Sequence, residues 1–205
     1  MPGKHLTQTL ITVNKNTNVI NYLIEKFRPV SFSDTHIADL KKFMETDSLY
    51  YGCNIFRTGV PGGNLIVIRR ALLAKNKFTE ASKMLVKLQE YVKKNSIQQI
   101  NPVIAQFLRI GNDSSQVNVG FFINKEVKPG DGIEFVRMPK GGPLFAAKFS
   151  GRFSKRQKIY NALQQYFADR HHQPAILPFE TYFDGKLPSS DTDKVNIQVN
   201  FTSYY

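Results

Sequence analysis

At 205 residues the chain is long enough to bury a full core in one domain or two small ones, and 41% hydrophobic with 21% charged residues is the make-up of an ordinary globular protein. No run approaches the ~18 apolar residues of a membrane span, and the only cysteine, Cys53, excludes an internal disulfide and any Cys-x-x-Cys zinc or redox chemistry. Residues 51–205 carry 22 Lys/Arg against 11 Asp/Glu, most of the formal +12, yet without a run of five or an interleaved aromatic ladder, which favours a solvated face over a nucleic-acid surface.

The start, Met1-Pro2-Gly3-Lys4-His5, has no signal-peptide apolar region, so a cytoplasmic location is expected. Residues 6–13 are β-branched and predict a strand, and 18–27 have helical spacing up to Arg28-Pro29. A second helix is expected over 35–44, with Ser33 or Asp34 as its cap and Ile37, Leu40 and Met44 on one face. These first ~48 residues match nothing later in the chain and read as an N-terminal extension, 1–48. The remainder, 49–205, reads as one domain.

In that domain Gly62-Gly63 predicts a turn, 64–74 a strand, and 79–94 an amphipathic helix with Phe78, Ala81, Leu85, Leu88 and Val92 on its apolar side. Residues 103–110 and 115–123 predict two strands joined by the turn Gly111-Asn112-Asp113-Ser114. The second is the clearest in the chain: Val117, Val119 and Phe121 point one way, Asn118, Gly120 and Phe122 the other. A linker at 127–132 and a short strand at 133–138 follow.

The order then returns. A strand is expected at 144–149, then a helix opened by the capping box Ser154-x-x-Gln157, with Ile159, Leu163, Tyr166 and Phe167 as its stripe. Strands at 179–183 and 195–201 flank a longer turn. Val195, Ile197 and Val199 share one face of the last strand, and Asn196, Gln198 and Asn200 the other. An offset of 75 lays Phe78 on Phe153, Leu88 on Leu163, Val92 on Phe167 and Phe107 on Tyr182; three extra turn residues then lay Asn118 on Asn196. The reading is a duplicated strand-helix-strand-strand unit, repeat 1 at about 50–126 and repeat 2 at about 133–205.

Three stretches together carry a family resemblance: residues 117–123 followed by Gly130-x-Gly132, Met138-Pro139-Lys140-Gly141-Gly142, and residues 146–153. Over about residues 50–205 the chain resembles the GyrI-like domain, the gyrase-inhibitor-like effector-binding domain of bacteria, related to the SOUL haem-binding proteins. The resemblance implies an α+β fold in which two pseudo-symmetric units form a curved antiparallel sheet, two helices on one face and a ligand cleft on the other. It also implies non-covalent binding of small organic molecules, as a sensor, a sequestering protein or the effector module of a multidrug-responsive transcription regulator. Some relatives hydrolyse small molecules.

The family often carries a Glu at the positions matched by Asn118 and Asn196. A buried carboxylate draws a cation, whereas an amide offers only neutral donors and acceptors. The cleft is therefore expected to hold a neutral or anionic ligand, aromatic or amphipathic, and the chain to bind rather than catalyse, with no cofactor. Asn118, Asn196, Phe122, Tyr160, Tyr182 and Phe107 are the expected contacts, with Gln198, Tyr50 and Tyr51 as further candidates. Glu180 is the one carboxylate in a predicted second-unit core strand and serves as a displaced base or cation anchor if any group does. His171-His172 is a poor chelate, because adjacent helical positions diverge. A hydrolase of the GyrI-like type and a basic nucleic-acid or regulator-contacting module stay open as alternatives, the latter not expected to touch DNA without a separate DNA-binding domain.

Overall fold

The computed structural model describes residues 32–60, 62–100, 102–138 and 140–204, and side chains from residue 36 onward. The strand expected at 6–13 and the helix expected at 18–27 lie outside the described residues. Contacts divide the chain into two units, Met1–Glu45 and Thr46–Tyr205. In the first, helix α1 spans Phe32–Glu45, so positions 33 and 34 fall within its span rather than ahead of it. Among the described residues no helix is long and apolar enough to cross a membrane.

The second unit holds a short helix α2 (Asp47–Tyr50), strand β1 (Ile55–Gly59), β2 (Gly63–Leu73), helix α3 (Lys77–Lys94), β3 (Val103–Arg109), β4 (Ser114–Ile123), β5 (Glu134–Met138), β6 (Pro143–Arg152), helix α4 (Gln157–Asp169), β7 (Phe179–Tyr182) and β8 (Lys194–Thr202). All eight strands form one antiparallel sheet in the order β1-β6-β8-β7-β3-β4-β2-β5. The predicted alternation decides which side chains enter the core. Ile66, Ile68, Val117, Val119, Phe121, Phe145, Ala147, Ile197 and Val199 are buried with Leu85, Leu88, Leu163 and Phe167 of the two helices. Both helices therefore cover one face, and the Asn118 side of β4 faces the other way.

The sheet must curl. Gly59 and Gly63 are four Cα steps apart, at most about 15 Å, yet β1 and β2 are separated by six strand spacings, about 29 Å if flat. Met138 and Pro143 make the same jump from β5 to β6. The two outer edges are therefore drawn together by two short connections, held by the Val60 N–H donating to the Gly142 carbonyl at 3.0 Å. Val60 then packs with Leu144 and Phe179 in a small second core on the face away from the helices.

A pseudo-twofold runs between β3 and β7, which pair with each other through Val103–Tyr182, Ile104–Thr181 and Ala105–Glu180. The helix ends repeat at the expected offset of 75. Asn95 and Arg170 donate to the carbonyls of Tyr91 and Tyr166, Ile97 and His172 to those of Val92 and Phe167, and Ser96 and His171 both take the left-handed conformation that ends a helix. Phe107 and Tyr182 are equivalent too, as predicted, facing Val117 and Ile197.

Four expectations are corrected. Because Val117 and Ile197 are equivalent, the β7–β8 turn carries five extra residues, not three, and the partner of Asn118 is Gln198, not Asn196; Gly120 corresponds to Asn200. At the other end, Leu73 and Arg152 share one backbone conformation before a 3-10 turn, so Phe153 matches Ala74, and Phe78 instead packs edge-on against Phe153 at 5.3 Å. The Ser154 capping box does not form: α4 starts at Gln157 after Arg156, with no side-chain cap. The strand after the linker is also not a connector between units but the outer strand of the first, while β1 supplies the outer strand of the second.

Candidate functional site

On the face away from the helices the sheet holds a pocket of about 270 Å³, just under the usual range for drug-sized ligands. Leu65 and Val67 of β2, Phe122 of β4 and Val136 and Met138 of β5 form one side. Ile104 of β3, Phe179 of β7 and the strap residues Ile176 and Leu177 before β7 form the other. Each of the strand residues is there by parity, two positions from the next on the same face. Gly120 lies between them, and its lack of a side chain is forced: a Cβ would sit 2.5 Å from the Ile66 carbonyl oxygen.

The floor is a relay of amides. Gln116 Nε2 donates to Asn118 Oδ1 at 3.2 Å, Asn118 Nδ2 to Gln106 Oε1 at 2.6 Å, and Gln106 Nε2 to the carbonyls of Leu177 and Pro178 at 3.0 and 2.9 Å. The relay ties the strap to the sheet and satisfies Asn118, which is 7% exposed. Among the described residues the pocket's one charged side chain is Arg69, opposite Asn118 in the β2–β4 register, with Nε 3.3 Å from Glu134 Oε2.

The second half does not repeat this space. There Gln198 donates to Asn200, and Asn200 donates to the Phe179 carbonyl and Thr181 hydroxyl. Asn200 thus occupies the position equivalent to Gly120, and Leu144 and Phe179 pack with Val60 on that side.

Of the expected contacts, Asn118 and Phe122 line the pocket. Asn196 is on the correct face but exposed at the far end of β8, beside Tyr182, Lys194 and the β7–β8 turn. Phe107, Tyr160, Tyr182 and Glu180 are on the helix-covered face, away from the pocket. Phe107 packs tilted against Phe78 and edge-on against Phe153, and Tyr50 and Tyr51 pack together, Tyr51 donating to Asp169 at the end of α4. His172 packs against Phe145, ring centres 4.5 Å apart. The lining contributed by Arg69, Gln106, Val136, Met138 and the strap was not anticipated; the parity of β2 relative to β4 was the available signal for Arg69.

Glu180 is fully buried and bound on three sides. Arg156 Nε donates to Oε1 at 2.5 Å, Tyr160 to Oε1 at 2.9 Å and Tyr182 to Oε2 at 2.5 Å. Burial first, and then the adjacent Glu180 charge, push both phenols well above their usual pKa. The carboxylate is thus within reach of two tyrosines, as a hydrolytic base would need, but it lies under α4 with no exposure to solvent.

The sequence matches no protein-family model and no curated protein. By structure the chain is similar to EcmrR in its cryo-EM complex with DNA (TM-score 0.60, 12% identity, covering 92% of this chain and 78% of that one). It is also similar to the EcmrR C-terminal domain (TM-score 0.59, 15% identity, 73% of this chain and 96% of that one). A protein from Listeria innocua described as a hydrolase gives a TM-score of 0.51 at 11% identity, over 80% and 96% of the two chains. At these identities the likeness is one of fold: an eight-stranded antiparallel sheet with helices on one face, which is the GyrI-like fold.

Proposed function

We propose that the chain reversibly binds a small, largely apolar organic molecule in the pocket floored by Asn118, acting in the bacterial cytoplasm as a sensor, a sequestering protein or an effector-binding module. One observation carries the reading. The pocket is apolar on two sides, while its buried amides are satisfied by each other, so an apolar guest displaces water without orphaning a polar group. EcmrR, whose C-terminal domain shares the fold, is a DNA-bound protein, which supports an effector role by analogy. Aromatic or amphipathic guests of more than one shape suit walls that include Met138.

Hydrolysis is the weaker reading. It draws on the description of one Listeria innocua neighbour, but Glu180, the fully buried carboxylate near tyrosines, has no open side toward a substrate.

A thermal-shift screen of neutral aromatics, anionic amphiphiles and cationic dyes tests binding. A ligand at 100 times its Kd should stabilise the fold by ~2.7 kcal/mol. Val136→Trp, at a half-buried position on the outer strand, fills the pocket and should abolish the shift while leaving the circular dichroism unchanged. If no class shifts the wild type, or the filled variant shifts equally, the reading fails.

A further inference from the structure

We infer that the pocket selects an apolar molecule bearing one carboxylate, with Arg69 as the group that anchors it; this rests on the binding reading above.

Charge complementarity carries the inference. Among the described residues that line the pocket Arg69 is the only charged one, and none is a carboxylate. A cationic guest would meet the like charge of Arg69 at close range, with no described lining carboxylate to attract it. A polyol or sugar would find the amide floor already paired within itself and to the strap. An anion on an apolar body meets neither obstacle.

Arg69 is also free to change partner at little cost. Its present pairing with Glu134 engages Nε at 3.3 Å, and both side chains are about half exposed (47% and 50%). Such a pair, half exposed to water, is weak and readily screened. A ligand carboxylate can take Glu134's place with the two-pronged geometry that a planar guanidinium favours. The apolar body, once seated against Leu65, Val67 and Val136, excludes water from the mouth and strengthens that contact. Glu134 then turns to solvent. In this scheme Glu134 is a competitor that keeps Arg69 extended over the pocket when no ligand is present.

Calorimetric titration of the full chain at low salt with octanoate, octanol and octylamine tests the inference. These probes share one apolar body and differ in charge. In the wild type octanoate should bind at least roughly tenfold more tightly than octanol, a difference of ~1.4 kcal/mol, and octylamine no more tightly than octanol. Arg69→Gln should erase the octanoate advantage over octanol, and Glu134→Gln should tighten octanoate by removing the competitor. Equal affinities for octanoate and octanol in the wild type, or an advantage that survives Arg69→Gln, would overturn the anchor while leaving the pocket reading intact. Octanoate binding that survives Val136→Trp would assign it to the lysine-rich surface and overturn the inference. Failure of all three probes to bind would overturn the pocket reading and the inference together.

Discussion

A fully buried carboxylate, Glu180, persists because three donors converge on it. Arg156, 15% exposed, supplies the charge, and the hydroxyls of Tyr160 and Tyr182 complete the shell. Such a cluster is weak evidence for stability but strong evidence for dependence, since taking away one partner leaves the other charged and buried. Glu180→Gln should therefore destabilise the fold by about 3–5 kcal/mol in urea unfolding. Adding Arg156→Met to that variant should recover more than half of the loss. A single-variant loss below about 1 kcal/mol would mean that the Arg156 guanidinium escapes to solvent. Sequence alone assigned Glu180 to a strand but not to a face. Phe179-Glu180-Thr181-Tyr182 is four residues long, and its aromatic members could belong to either side. Only the pairing of Tyr182 with Ile197 fixes the phase.

At the level of elements the longer strands were readable and the edges were not. β4 and β8 match their predicted spans closely because one side of each is uniformly apolar and buried against helices. β1 was missed: Ile55-Phe56-Arg57-Thr58-Gly59 pairs on one side only, shows no clean alternation, and runs straight into Val60-Pro61-Gly62. The helix start at Gln157 was mispredicted for a different reason, since the Arg156 side chain that precedes it is committed to Glu180 and a 3-10 turn comes first. Half of the pocket was readable for the same reason as β4, because Asn118 and Phe122 stand on a strand whose phase is unambiguous. Gly120, between them, sits where β2 leaves no room for a side chain. Gly120→Ala would put a methyl carbon 2.5 Å from the Ile66 carbonyl oxygen and 3.2 Å from the Val67 Cβ. β2 and β4 would have to separate, at a cost of about 1–3 kcal/mol. A drop in urea midpoint with unchanged m-value would confirm it; an unchanged midpoint would show that the ladder absorbs the methyl.

For the whole domain, the duplication was visible in the order of elements, but its consequence for connectivity was not. Sequence order suggests two self-contained repeats parted by the linker at 127–132. Space divides the strands otherwise: β5, which follows the linker, pairs with β2 of the first half, and β1, the first strand of the sheet in chain order, pairs with β6 of the second half. Each half thus takes its outer strand from the other repeat's stretch of sequence. The reason is geometric, because the five-residue edge strands carry no side-chain pattern that names a partner, and the curl that brings the edges together depends on the short connections at 60–62 and 139–142. A cut in the linker tests this. Residues 46–126 would hold β2, α3, β3 and β4 with β2 unpaired on its outer side, β3 unpaired where β7 belongs, and β1 without a partner. Residues 133–205 would suffer the mirror-image loss. Unpaired strand edges and an exposed inner seam at Val103, Ala105 and Tyr182 leave each fragment with too little buried surface for its chain entropy. Neither should show dispersed amide resonances alone, and an equimolar mixture should recover the fold, with co-elution as a single species on size exclusion. A fragment that folds by itself would show that the exchanged edge strands are dispensable and that each repeat carries a complete core.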